Sequence, residues 1–336
     1  MILEVSGLSS SAWYDTRPHK EEKAKPGKQP MFSDAEVIRA TESYLAKPLF
    51  WGEGYIKLRK RIKVLSGVCV KKDRLNKLLR ENNLLARPRQ EPNPANRKHD
   101  GKIITDVPDK MWGTDIKEFK INGKTHYFIG VIDHFNDEMH GWNITDKADK
   151  FNALEPLYQA ILKRFGSLEK DVCKGLRLYL RSDNGSQFIS KIYSQELKYY
   201  GIIHSKAFVN SPECNGIIER FHRTLNEQVF NGNVFTNIED AKNVMGDFID
   251  KYNQYWICHR LALTSPIEFR LNFEEKLSVF SSNILNDDVP VDLEINFERD
   301  SCEGEIYSKS MGKTDNVDNL NSGVNKCLNI TYINGG

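Results

Sequence analysis

Apolar positions recur at helical spacing in three short stretches near the front of the chain. Ser33 opens the first, with Glu36 three positions later as a capping box. Val37, Ile38, Thr41, Tyr44 and Leu45 form its apolar face. The second covers Tyr55–Leu65, with Tyr55, Leu58, Ile62 and Leu65 on one stripe, and Ser66-Gly67 breaks it. The third runs from about Lys71 to Asn82 and carries Leu75, Leu78 and Leu79. Polar, Pro-containing stretches at 15–31 and 87–108 read as linkers.

From 109 the period changes. Two strand-like runs flank Asn122-Gly123, a strong hairpin signal. A third run spans Met139–Ile144, and Phe151–Phe165 returns to helical spacing. Leu176–Leu180 reads as a short buried strand, Ile192–Tyr200 as a helix and Ile202–His204 as a brief strand. Pro212 opens a helix expected to reach about Val229, and residues 238–255 form another. Three antiparallel strands followed by alternating helices and strands predict a mixed α/β sheet. Beyond 272 the chain is mostly polar; VDLEINFE alternates like a strand, and the rest reads as a loosely ordered extension.

Charge sharpens this division. The net charge is only +2, yet residues 51–100 hold 14 Lys/Arg against 5 Asp/Glu, while residues 275–336 hold 5 against 11. A local basic block suits a polyanion, because each neutralised phosphate releases a counterion. Three short helices with a Gly-containing break between the last two suggest a helix-turn-helix unit, whose third helix would enter the major groove. Lys71, Lys72, Arg74 and Lys77 on that helix are the candidate DNA contacts; a plain solvated face is the bland reading.

The six cysteines are scattered with no CxxC pair, which argues against a zinc finger and a disulfide framework and for a reducing, cytoplasmic setting. No run approaches 18 apolar residues, so no membrane span is expected.

Three acids stand out. Asp115 interrupts the first strand, Asp183 follows the fourth in the turn Asp183-Asn184-Gly185, and Glu219 lies on a helix among Ile218, Phe221 and Leu225. Asp183 could be only a turn residue, and Glu219 only a surface partner of Arg223 at i+4. Their positions at ends of neighbouring hydrophobic strands, and on a helix with apolar neighbours, favour convergence.

WGTDIKEF, RSDNGSQF and NGIIERFHRTL together resemble the catalytic core of DDE transposases and retroviral-type integrases, above all the OrfB-type transposases of bacterial insertion sequences. GYIKLRKRIKVLSGVCVKKDRLNKLLRENNL is similar to the helix-turn-helix that precedes the core in that family, and YNQYWICHRLALTSPIEF to its end-of-core signature. The resemblance covers about residues 33–270. It implies a ribonuclease H-like mixed sheet with flanking helices, preceded by a small all-α helix-turn-helix domain. The expected division is 1–32 N-terminal segment, 33–90 helix-turn-helix, 91–108 linker, 109–272 catalytic core and 273–336 acidic extension.

The resemblance further implies a polynucleotidyl transferase that cleaves and joins the ends of an insertion element. Two Mg²⁺ ions, replaceable by Mn²⁺, would be held by Asp115, Asp183 and Glu219, with Asp115 bridging both. Hard cations that retain water suit three carboxylates with open positions. Without metal, converging carboxylates repel, so at least one should have a raised pKa. Asn184, Gln187, Asn215, Arg220 and Arg223 are expected near DNA. The expected partners are double-stranded DNA, further copies of the chain, and a helix-turn-helix/leucine-zipper protein from an upstream reading frame; bound to DNA, the protein would sit on the bacterial nucleoid.

The chain departs from the family pattern at Asn226 and Lys117, where Lys/Arg and Thr are usual, and at Trp256 and Cys258, where Arg and His are frequent. A DNA-binding regulator without chemistry is the main alternative. A ribonuclease H-like nuclease or retroviral-type integrase is the second, although the HxxxH…CxxC array of retroviral integrases is missing.

Overall fold

A computed structural model describes residues 30–87, 105–206, 216–284, 294–296 and 308–310. Most of the expected N-terminal segment, linker 91–108 and acidic extension, together with Pro212 and Asn215, therefore lie outside the described residues.

Helices α1 (Asp34–Ala46), α2 (Tyr55–Ser66) and α3 (Lys72–Glu81) pack around Val37, Leu58, Ile62, Leu75 and Leu79. The capping box forms as its spacing requires: the Ser33 amide donates to Glu36 Oε2 at 2.8 Å, and the Glu36 amide returns to Ser33 Oγ at 3.3 Å. Gly67 ends α2 in the left-handed region, where a residue with a Cβ is strained.

The second body is a five-stranded sheet of order β3-β2-β1-β4-β5. Strands β1 (Met111–Ile121), β2 (Lys124–Asp133) and β3 (Met139–Thr145) are antiparallel, whereas β4 (Tyr179–Ser182) and β5 (Ile203–Lys206) run parallel to β1. Asn122 and Gly123 both have positive φ, as a tight hairpin demands. This mixed sheet with helices on both faces is the expected ribonuclease H-like arrangement.

Helices α4 (Lys150–Phe165) and α6 (Lys191–Tyr200) cover one face, burying Leu154, Leu157, Ile161 and Tyr193 against Trp112, Ile129, Val131 and Leu180. Gly141 is the contact that permits this closeness: a Cβ there would lie 2.0 Å from the Pro156 carbonyl oxygen of α4. Helices α7 (Gly216–Leu225) and α8 (Ile238–Tyr255) cover the other face, with Ile218, Phe221, Leu225, Phe248 and Tyr252 against Phe119, Phe128 and Ile144.

Several boundaries differ from those read in the sequence. The fourth strand begins at Tyr179, because residues up to 177 turn rather than extend. A four-residue helix, α5 (Ser186–Ile189), follows the Asp-Asn-Gly turn directly. The helix expected to run to Val229 changes at Asn226 into a π-helical turn over Asn226–Phe230. Helix α9 (Pro266–Ile284) passes through position 272, because Phe269 and Phe273 pack on Phe135 and hold it to the core. Glu294–Asn296 pairs antiparallel with Ser308–Ser310.

The helical unit is docked on the sheet-bearing body. Phe50 sits in the core of the latter, its ring edge-on to Trp256 at 4.9 Å and to Phe248 at 6.4 Å. Arg61 donates to the Tyr255 carbonyl at 2.7 Å and pairs with buried Glu53. Gln228 on the π-helical turn exchanges two 2.9 Å hydrogen bonds with the Trp51 backbone.

Candidate active site

Side chains of a strand alternate between faces, so Asp115 shares a face with Lys117 and Phe119, the face covered by α7. Gly130 lies directly opposite Asp115 on β2. Strand β4 runs parallel to β1 with Arg181 beside Gly113, so the chain leaves β4 at Asp183 close to the level of Asp115. Glu219 projects from the first turn of α7, whose Ile218, Phe221 and Leu225 are anchored in the core.

The three acids are brought within electrostatic reach of one another. The Asp115 carboxyl is pushed up to about 6, first by burial and then by the charges of Asp183 and Glu219. Burial also raises Glu219. Among the described residues, no Lys or Arg forms an ion pair with Asp183 or Glu219.

The Asp183 loop is shaped by its own side chain: Asp183 Oδ1 accepts the Gly185 amide at 2.9 Å. A Cβ at Gly185 would fall 2.2 Å from the Gln187 side chain and 3.0 Å from Asp183 Oδ1, so glycine lets this turn close.

His222 was not foreseen in the sequence. One turn after Glu219, its Nδ1 stands 3.6 Å from Asp115 Oδ2. Burial and the Lys117 charge hold its pKa down to about 3, so it is a neutral imidazole beside the carboxylate and not a counterion. The i+3 spacing from Glu219 was the available signal. Lys117 is itself lowered by burial, with Asp115 opposing that shift.

The expected DNA contacts separate into groups. Asn184 and Arg223 are exposed and Gln187 half-buried, all on the two segments that carry Asp183 and Glu219. Arg220 lies 3.8 Å from Asp137, its side chain 46% exposed. Lys71 and Lys77 are exposed and Lys72 half-buried on α3. Arg74 is engaged within the helical unit, where its Nε donates to Asp34 Oδ1 at 2.9 Å and its Nη2 to the Phe32 carbonyl at 2.8 Å.

A second acidic group lies at the same end of β2, three residues beyond the Gly130 that faces Asp115 and on the opposite face of the sheet. Asp109, Asp133 and Glu138 are buried around His140; Arg164 pairs with Asp109, and Lys163 and Arg270 pair with Glu138. The sequence reading did not identify this group.

Residues 106–212 match an integrase core domain family, and residues 200–255 match a second family of the same description. The chain is 31% identical over 163 residues to the putative transposase InsK for insertion sequence element IS150 of Escherichia coli K12, covering 48% of this chain and 55% of that one. It is 23% identical over 214 residues to the transposase InsD of insertion element IS2D of the same strain, covering 63% and 70%. The chain thus spans about half the length of InsK. A cryo-EM structure of a simian T-cell lymphotropic virus intasome with the PP2A regulatory subunit B56 gamma aligns at 16% identity and a TM-score of 0.43, covering 69% of this chain and 74% of that one.

Proposed function

Because the chain carries an integrase core domain and is related to insertion-sequence transposases, we propose that it is a DDE-type DNA transposase that cleaves and joins the ends of an insertion element. The observation that carries this reading is Asp115, whose carboxyl is raised by burial and by the charges of Asp183 and Glu219. Carboxylates whose mutual repulsion outlasts the opposing charge of Lys117 are a natural seat for divalent cations.

The donor set fits that use. Every donor is a carboxylate oxygen, the hard type that Mg²⁺ and Mn²⁺ select, and Asp183 and Glu219 are exposed to incoming DNA. Asp115, Asp183 and Glu219 would hold two Mg²⁺ ions, with Mn²⁺ able to substitute. When bound, such cations activate the attacking water or 3′-hydroxyl and neutralise the leaving oxygen in an in-line displacement at phosphorus.

The chain's own residues do the rest. Rigid β1 and the anchored α7 hold Asp115 and Glu219 in place, and the Gly185 turn fixes Asp183. His222, neutral and half-buried, supports Asp115 without competing as a cation. Asn184, Gln187, Asn215, Arg220 and Arg223 would meet the DNA backbone near the cut.

Helices α1–α3 would act as the helix-turn-helix domain, spanning 33–90, with Lys71, Lys72 and Lys77 on phosphates; the core would span 109–272. Arg74 would contribute by fixing α3 to α1. Double-stranded DNA is the substrate, and the protein would assemble as a multimer on paired ends, together with an upstream-frame protein. The described helices include none long and apolar enough to cross a membrane.

The test is strand transfer on labelled element ends with Mg²⁺. Asp115→Asn, Asp183→Asn and Glu219→Gln should each lose more than about 100-fold in joined product. DNA binding should persist in all three. Product formation by any of them at the unaltered rate would refute the assignment. No feature of the described residues favours the catalytically silent regulator.

A further inference from the structure

His140 on β3 is fully buried, and neither ring nitrogen has a hydrogen-bond partner. Its Nε2 points between two carboxylates, 3.6 Å from Asp109 Oδ1 and 3.6 Å from Asp133 Oδ2. Ligand atoms of the three residues all lie within 4.8 Å of one another. We propose that Asp109, Asp133 and His140 form a buried three-ligand site for a divalent transition-metal cation of the zinc class, separate from the proposed catalytic acids.

The separations carry the argument. A charged imidazole N–H against a carboxylate closes to about 2.8 Å, and nothing else occupies these nitrogens. Zinc–ligand bonds of about 2.0–2.2 Å in a tetrahedron set neighbouring ligand atoms about 3.3–3.6 Å apart. The Nε2 contacts therefore fit ligands flanking an ion better than a collapsed ion pair.

The surroundings supply the orientation that such a site requires. Glu138 Oε1 stands 3.8 Å from His140 Nδ1, beyond hydrogen-bond distance, on the side of the ring away from Nε2. Asp133 Oδ2 is aimed by the Asp109 amide at 2.8 Å, and Asp133 Oδ1 by the Phe135 amide at 2.6 Å. Arg164 holds Asp109 through both oxygens, with Nη2 2.7 Å from Oδ2 and Nε 3.1 Å from Oδ1, and the Trp112 indole donates to Oδ1 at 3.1 Å.

Charge favours an added cation, although a divalent ion overshoots neutrality by one. Asp109, Asp133, Glu138 and Glu274 face Arg164, Lys163 and Arg270 in one connected network, which leaves one negative charge when His140 is neutral. The rival occupant is a proton on His140.

The ligands come from the lead into β1, the end of β2 and the start of β3, so the ion would clamp three segments at the base of the sheet. All three residues are buried, which keeps DNA away from the site.

The experiment uses the full chain with Asp115→Asn and Asp183→Asn, which disables the proposed catalytic site, dialysed against chelator and titrated with Zn²⁺ alone. The expected result is one equivalent retained against a chromophoric chelator and a Tm raised by about 5 °C or more. Adding His140→Leu should remove both effects in a protein whose circular dichroism is unchanged. Where that variant does not fold, histidine ¹⁵N spectra of the parent provide the second readout, with Zn²⁺ expected to move one buried imidazole nitrogen. Failure to retain Zn²⁺, or equal retention with His140→Leu, overturns the site and leaves a protonated His140 as the partner of these carboxylates.

Discussion

Two groups of acids sit on one sheet and differ in almost every physical respect. Asp115, Asp183 and Glu219 lie where β1, the end of β4 and α7 meet, partly open to solvent, and among the described residues no Lys or Arg pairs with the latter two. Asp109, Asp133 and Glu138 lie at the base, sealed from solvent, with Arg164 on Asp109 and Lys163 and Arg270 on Glu138. Burial raises Asp115, whereas nearby cations hold Glu138 far below the ordinary carboxylate range despite its burial. Acid count alone therefore identifies neither a catalytic centre nor a scaffold. Solvent access and the presence of built-in counterions separate them.

That contrast can be broken from either side. The largest effect on stability is expected at the paired group. Arg164→Met strands Asp109 in the interior and should cost about 3–5 kcal/mol in urea unfolding. A loss below 1 kcal/mol would mean that the network tolerates an uncompensated charge.

Next comes the docking of the helical unit. Phe50→Ala removes a ring buried against Phe248 and Trp256 and should cost about 3 kcal/mol. Limited proteolysis should then release the unit more readily; an unchanged cleavage pattern would show that the docking does not depend on this ring.

A smaller effect of opposite sign is expected at the open group. The folded-state pKa of Asp115 is about 6 against an ordinary 3.8, so the native state holds the extra proton between these values. The metal-free protein should thus lose stability as pH rises from about 4 to 6. Asp115→Asn removes this penalty and should stabilise the metal-free chain at pH 7 by about 1–2 kcal/mol, measured by urea unfolding with chelator present. Destabilisation instead would place Asp115 among the paired scaffold acids. The same proton competes with a cation, so Mg²⁺ affinity should weaken below about pH 6.

Smallest of all is the electrostatic contribution of single surface lysines. Lys72→Ala or Lys77→Ala should reduce the salt slope of duplex binding by about one unit each. A flat response would leave these residues as a solvated face. Arg74→Ala should act on stability instead, through its bonds to Asp34 and Phe32.

The legibility of the chain follows the range of the forces involved. Period and turn chemistry are local, so α1–α3, the Asn122-Gly123 hairpin and the helices after β3 and β4 could be read directly. Asp115, Asp183 and Glu219 stood out because each sits in a distinctive local setting. Phe50 could not be assigned, since it lies in a loop and its partners are about 200 residues away. The buried acids were hidden for the same reason. DHFNDEMH reads as a polar turn, and its compensating cations come from Lys163, Arg164 and Arg270, whose proximity only the tertiary fold creates. His222 looked like an ordinary helix residue until β1 supplied Asp115 beside it. The passage of α9 through 272 depends on Phe269 and Phe273 finding Phe135, again a long-range contact.

The central claim is that the carboxylates of Asp115, Asp183 and Glu219 bind cations as a unit. Fe²⁺ loaded into the protein and treated with peroxide cuts the backbone beside the residues that hold it. Mg²⁺-protectable cuts near all three positions, lost together in Asp115→Asn, are the expected result. Cuts confined to one or two of those positions, or unaffected by Mg²⁺, would contradict it.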